Sequence, residues 1–392
     1  MTYLDHAATT PLDPDVLESM MPFLSGIAGN PSSVHAVGRI ARSASDDARE
    51  SMARILGCEA QELVITSGGT ESDNLAIKGS ARASVRRGRH VVTSAIEHHA
   101  VLHSCASLER EGFDVSYLPV DEYGVVSPED LAASIRDDTI LVSIMLANNE
   151  IGTIQRLSEM AAITRERGTP FHTDAVQAAG HLEIDVDDLG VDLLSLSAHK
   201  FYGPRGVGLL YVRDGVGLDP LFDGGGQELE RRSGTENIAG TVGMARALGL
   251  AMERLEPRMR RESGMRDILI EKIQDATGDV ILTGHPTRRL PSVASFCFRD
   301  IDAESLLINL DLDGIQASSG SACTSGSVIV SHVIQALGLP EAFEAGSLRL
   351  SVGDSNTPEE IAATADIIIA HTARLRDIAE EVTEAEFGAV GG

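Results

Sequence analysis

The chain contains no tryptophan, and its aromatic content is only 4%. Base-stacking platforms for single-stranded nucleic acid need aromatic faces, so none is expected. Basic residues are scarce as well: 32 Lys and Arg stand against 59 Asp and Glu, for a net charge of −27. Binding to a phosphate backbone needs a basic face, which argues against direct nucleic-acid contact. No apolar run approaches the roughly 20 residues of a membrane helix, and the N-terminus lacks a basic-then-apolar leader. No membrane partner is expected, and a cytoplasmic location is. Cysteines number four (Cys58, Cys105, Cys297 and Cys323), with no Cys-x-x-Cys pair. A disulfide framework is therefore not expected in a chain of this size and class.

What is present is a long, evenly apolar chain. With 392 residues, 43% of them hydrophobic, and a mean hydropathy near zero, it can build two domains with sizeable cores. The net charge lies well beyond the magnitude of about 2–8 that suits a small soluble domain. Self-repulsion of that size destabilises a compact state at low salt, as in halophiles. An acidic, halophile-like protein is expected.

One stretch organises the rest. An apolar run from Val191 to Leu196 stops at Ser197-Ala-His199-Lys200, and a turn through Gly203 and Pro204 leads to a second apolar run, Val207 to Val212. That is a strand delivering a lysine to its end, with a return strand behind it. A lysine held there beside His199 is placed to lose its proton and attack a carbonyl carbon. Upstream, Phe171-His-Thr-Asp174-Ala-Val-Gln177 ends another strand with an acid and an amide. A Schiff-base lysine with an Asp for a pyridinium nitrogen is the residue pattern of pyridoxal 5'-phosphate enzymes.

Further strands at Glu62 to Thr66, His90 to Ser94, Val115 to Leu118 and Thr139 to Met145 alternate with helical periods. Repeated βα units imply an α/β fold with a mostly parallel sheet flanked by helices. Ligands in such sheets sit beyond the carboxyl ends of the strands, so Thr70, His98, Asn149, Asp174 and Lys200 can converge. Ser67-Gly-Gly69-Thr70 leads from a strand into a helix start, a cradle for an anion. His98, His99, His103 and Cys105 offer a rival metal site, since His99 and His103 share one helix face. No further ligands recur at zinc spacing, so no metal is expected.

A domain boundary is placed near Pro257. Residues 13–256 form a large domain, and residues 1–12 with 257–392 form a smaller α/β domain. The last helix is expected from Pro358 to Arg376, followed by an acidic tail. Within the smaller domain, Cys323 sits in Ser318-Ser-Gly-Ser-Ala-Cys323-Thr-Ser, a small polar run suited to a thiol that must travel. Cys297, between Phe296 and Phe298, has the apolar surround of a structural cysteine.

Taken together, Tyr3-Leu-Asp-His-Ala-Ala-Thr-Thr10, Thr66-Ser-Gly-Gly-Thr-Glu-Ser-Asp-Asn74, Asn148-Asn-Glu-Ile-Gly152, the Asp174 and Lys200 stretches, Arg232-Ser-Gly-Thr235 and the Cys323 run extend nearly end to end. On these motifs the chain resembles the cysteine desulfurases, class V aminotransferase-like enzymes of fold-type I. The resemblance implies pyridoxal phosphate carried on Lys200, which then serves as base for the α-proton of L-cysteine. Asp174 bonds the pyridine nitrogen, Gln177 the ring hydroxyl, and His98 lies over the ring. Gly69, Thr70, Ser197 and His199 hold the phosphate, with the partner subunit's Thr235 in a homodimer. Asn149 and Arg349 take the substrate carboxylate, a task suited to a guanidinium fork. Cys323 receives the sulfur as a persulfide and passes it to an acceptor protein, for iron–sulfur cluster assembly, tRNA thiolation or DNA phosphorothioation.

Leu229 and Glu230 depart from the Arg and Gly frequent in these enzymes, and the C-terminal tail lacks the aromatic and basic ending of those relatives that dock a cluster scaffold. Two other readings stand beside this one. Another class V enzyme, an aminotransferase or a selenocysteine lyase, would share the cofactor set without needing Cys323. A non-catalytic scaffold would tolerate loss of Lys200 or Cys323, and both are present.

Screening of the acidic self-repulsion predicts that melting temperature and activity rise as chloride is added to a dilute buffer. A melting temperature that is flat or falling up to molar chloride overturns the halophile expectation.

Overall fold

A computed structural model describes residues 1–320 and 330–390. The chain opens with a two-residue strand, β1 (Thr2–Tyr3). The main sheet follows, from β2 (Leu63–Thr66), β3 (His90–Ser94), β4 (Asp114–Leu118), β5 (Thr139–Ser143), β6 (Phe171–Asp174), β7 (Leu193–Ser197) and β8 (Gly208–Val212). Its order is β2-β8-β7-β6-β5-β3-β4. β4, β3, β5, β6 and β7 run parallel, while β8 is antiparallel to both β7 and β2. The tight turn after Lys200 dictates that reversal. Apolar runs such as Leu193-Leu-Ser-Leu are buried at every position, as helices on both faces of a sheet require. The edge strand β4 exposes Asp114 and Tyr117, and a charge there discourages pairing with a further strand.

Local signals set the helix ends. The helix Ala36–Leu56 starts at His35, whose ring accepts from the Gly38 N–H, and stops at Gly57 in the left-handed region (φ 72°). Together with the helix Ile238–Glu253 it packs onto the sheet through Met52, Leu56, Ile65, Leu196 and Met244. A second apolar cluster, including Leu4, Leu269, Phe296, Leu348 and Ile368, lies around the remaining strands. These are β9 (Val280–Leu282), β10 (Val293–Phe298), β11 (Ile315–Gln316) and β12 (Ser347–Ser351). β10 is antiparallel to both β9 and β12, and β1 pairs parallel with β11. The last helix, Pro358–Val390, runs past the expected stop at Arg376. Its extension is rich in Ala and Glu, which favour helix. No helix among the described residues is long and apolar enough to cross a membrane.

The sheet order positions the site. β4 is added on one side of β3 and β5 on the other, and such a switch opens a crevice beyond the carboxyl ends of the strands. β6 and β7 bring Asp174 and Ser197 to the same edge. Close approach at that edge depends on Gly208, where an added Cβ would stand 2.6 Å from the Gly68 backbone.

Candidate active site

A cavity of about 570 Å³ opens at the crevice. Every residue assigned to cofactor, substrate or catalysis from the sequence lines it except Thr235 and Cys323, whereas His99, His103 and Cys105 of the rival metal reading do not. Thr235 is exposed, and Cys323 lies outside the described residues. Ser318, Ser319 and Gly320, which lead towards it, do line the wall.

One end of the cavity suits an anion. β2 stops at Thr66, and Ser67-Gly68 turn the chain into a helix beginning at Gly69. The Ser67 N–H donates to the Glu71 carboxylate at 2.8 Å, and the Thr66 and Ser72 hydroxyls lie 2.8 Å apart, which fixes the turn. Gly69, Thr70, Ser197 and His199 also line an adjoining hollow with Arg205. Helix-start N–H groups, hydroxyls and a guanidinium are what an anion needs. His199 acts there as a neutral group: burial, then Lys200 and Arg205, lower its pKa to about 4. Its Nδ1 lies 3.2 Å from the Thr9 hydroxyl.

The other end is acidic. Asp174 is buried, and its Oδ1 accepts from the Val176 N–H at 2.9 Å. Burial raises its pKa, while His98 and Lys200 pull it down. Asp73 is buried close by, and donor atoms of Asp73, His98 and Asp174 come within 4.8 Å of one another. His98 caps the helix His99–Arg110 by accepting from the Ala100 N–H at Nδ1, 3.1 Å away. That bond leaves Nε2 as the protonated nitrogen of the neutral ring. Desolvation lowers its pKa, with Asp174 opposing. The rings of His99 and His103 stack 5.1 Å apart along the helix, and Cys105 is buried.

Between the two ends lies Lys200, delivered by the turn Ala198–Lys200 after β7. Its Nζ donates to the Ala7 carbonyl at 2.5 Å and the Ala8 carbonyl at 3.0 Å. Burial and then the Arg349 charge lower its pKa to about 8, against the pull of Asp174 and Asp5. Gln177 donates to the same Ala7 carbonyl at 2.9 Å. On β12, Arg349 is buried, with one Nη on the Asn149 carbonyl (2.9 Å), the other on Asp5 (2.7 Å) and its Nε without a partner. An acid, an amine of lowered pKa and an anion cradle in this order fit a flat ring with a basic nitrogen, an aldehyde and a phosphate. Pyridoxal phosphate has that arrangement.

Asp5, Ala7, Ala8, Asp73 and Arg205 were not assigned roles from the sequence. Asp5 and Asp73 stand inside the quoted motifs, but only the fold turns them towards the cavity. The backbone carbonyls of Ala7 and Ala8 leave no side-chain signal at all. The stretch around the departures at Leu229 and Glu230 is anchored by Glu228, which accepts from the Ile65 N–H at 3.0 Å and pairs with Arg49. Glu228, Leu229 and Glu230 all adopt left-handed backbone (φ 48°, 56° and 64°), a costly conformation for residues with a Cβ. Arg232 pairs with Glu71 at 2.8 Å and so ties this loop to the anion cradle.

Residues 2–363 match the profile of the class-V aminotransferase family. A cysteine desulfurase, IscS, of Dictyoglomus turgidum is 49% identical over 376 residues, 96% of this chain and 95% of the relative. Among solved structures, a NifS-like protein matches with a TM-score of 0.90 at 38% identity, over 95% of this chain and 100% of its own. SspA, solved in complex with cysteine, matches with a TM-score of 0.80 at 38% identity, over 90% and 99%.

The lowered pKa of Lys200 gives a pH prediction. The amine is protonated below about pH 8 and neutral above it, and only the neutral form attacks a carbonyl. Capture of pyridoxal phosphate by apoenzyme, followed by absorbance, therefore quickens about tenfold between pH 7 and pH 9. In Arg349→Leu, which removes a cation that lowers this pKa, the midpoint moves up. A wild-type midpoint at the ordinary lysine value of 10.5 contradicts the reading.

Proposed function

The chain belongs to the class-V aminotransferase family, and on that premise we propose that it is a pyridoxal-phosphate-dependent cysteine desulfurase. It converts L-cysteine to L-alanine and passes the sulfur to Cys323 as a persulfide. The observation that carries this reading is the convergence of Lys200, Asp174 and Arg349 on one cavity, in a chain 49% identical to a cysteine desulfurase.

When bound, the cofactor supplies an electron sink that acidifies the substrate α-carbon and loosens its Cβ–S bond. Asp174 would hold the pyridine nitrogen, Gln177 and His98 would contact the ring, and Gly69, Thr70, Ser197 and His199 would hold the phosphate. Arg349 and Asn149 receive the substrate carboxylate, and the unpartnered Nε of Arg349 supports that role. Lys200 Nζ takes the α-proton. The Cys323 thiolate then attacks the substrate sulfur: the new S–S bond forms as the Cβ–S bond breaks. L-cysteine and the enzyme thiol become L-alanine and the enzyme persulfide, with no outside oxidant or reductant.

The other three cysteines are poor candidates for this step. Burial pushes each of Cys58, Cys105 and Cys297 up to about 12, so they stay as thiols, whereas the thiolate is the nucleophile.

Residues 13–256 and the pair 1–12 with 257–392 are taken as two domains, an assignment supported by the separate apolar clusters. A homodimer, with the partner subunit's Thr235 at the phosphate, is supported by exposed Leu17, Met21, Leu24, Val37, Ile40 and Phe222, an apolar set of the kind that marks interfaces. The acceptor is a protein that takes persulfide sulfur. A cytoplasmic setting keeps such thiols reduced.

Mass spectrometry after incubation with cysteine tests the proposal. Cys323→Ala binds pyridoxal phosphate yet carries no added sulfur and releases no alanine, while Cys58→Ala, Cys105→Ala and Cys297→Ala each keep the adduct. Asp174→Asn retains cofactor but slows alanine release by at least about a hundredfold. Alanine released at wild-type rates by Cys323→Ala rules the mechanism out.

A further inference from the structure

Asp73 and Asp174 line the acidic end of the cavity and Glu97 is buried near enough to feel both, at 1%, 6% and 0% exposure. Resting on the cofactor reading above, we propose that Asp73 is a positioning residue held as a neutral carboxylic acid, so that the single negative charge of the cluster stays on Asp174, facing the ring nitrogen.

The surroundings of each acid decide where the charge sits. Asp73 and Asp174 have oxygens within 4.8 Å of one another, and like charges that close in a buried site do not both ionise. The groups facing Asp73 are Asp174, Glu97, the Ser195 hydroxyl and His172, whose Nε2 is 3.7 Å away. His172 supplies no charge: its nitrogens lie 2.8 Å from the Ser143 hydroxyl and 3.0 Å from that of Ser195, and burial lowers its pKa to about 3. Burial and then Asp174 raise the pKa of Asp73, outweighing the Ser195 hydroxyl, which favours the charged form. Asp73 Oδ1 has no hydrogen-bond partner, a costly state for a buried carboxylate.

Asp174 is better provided. It accepts the Val176 N–H and feels Lys200 and His98. Glu97 accepts from Ser94 (2.6 Å) and the Met145 N–H (3.0 Å) through one oxygen, and its other oxygen is bare. Its pKa is pushed up to about 8 by burial, so it is mainly neutral at pH 7. The proton of the Asp73–Asp174 pair therefore belongs on Asp73. Because such pairs titrate as a unit, Asp73 fixes the state in which Asp174 meets the cofactor.

Infrared spectroscopy of apoenzyme at neutral pH tests the assignment without cofactor or turnover. The difference spectrum of wild type minus Asp73→Asn contains a protonated carboxylic acid band and no carboxylate band. In holoenzyme, Asp73→Leu lowers kcat at least about tenfold and moves the pH at which the cofactor absorbance changes, and Asp73→Asn, which keeps a neutral donor of the same shape, recovers kcat to within about threefold. A carboxylate band lost in Asp73→Asn overturns the proposal, as does an Asn variant as impaired as Leu. Failure of the wild type to bind pyridoxal phosphate or release alanine, with the acid band present, counts against the functional reading and leaves the protonation of Asp73 standing.

Discussion

Desolvation of the Lys200 amine is the constraint on which the site depends. A lysine at a strand end in water keeps its proton and is a poor nucleophile. Here burial and the Arg349 guanidinium work against the charge, while Asp174 and Asp5 work for it, and the balance falls near pH 8. Each of those neighbours is itself held. Arg349 is fixed by Asp5 and the Asn149 carbonyl, and Asp174 by the Val176 N–H. Loosening any of them alters the amine as well.

The N-terminal segment is the piece that holds this balance together. Leu4 belongs to the same apolar cluster as Phe296 and Leu348, whereas Ala7 and Ala8 receive Lys200, Thr9 meets His199, and Thr10 donates to the His199 carbonyl. Six consecutive residues, Asp5 to Thr10, thus touch both the smaller sheet, through Arg349 on β12, and the turn after β7. The cavity is built at the seam of two apolar clusters, and this segment crosses it. Seams of that kind are common places for ligand sites.

Much of this was legible beforehand because the parallel strands are continuous apolar runs and their ends are marked by polar residues. Lys200, Asp174, His98 and Thr70 could be placed at one sheet edge on that basis alone. What stayed hidden depends on contacts between residues far apart in sequence. The Lys200 contact to Ala7 spans 193 positions and uses a backbone carbonyl, which has no residue-type signature. Asp73 lies in a legible motif, but its burial beside Asp174 follows from how the helix Gly69–Asn74 docks against β7 and β8. The final helix outran its expected end because nothing after Arg376 stops a helix until Gly388.

The most direct measurement of the central assignment is the attachment point of the cofactor. Purified protein is loaded with pyridoxal phosphate, reduced with borohydride and digested, and the pyridoxyl-bearing peptide is identified by mass spectrometry. The account predicts the label on Lys200 alone. A label on any other lysine, or none above the background of the Lys200→Ala variant, contradicts it.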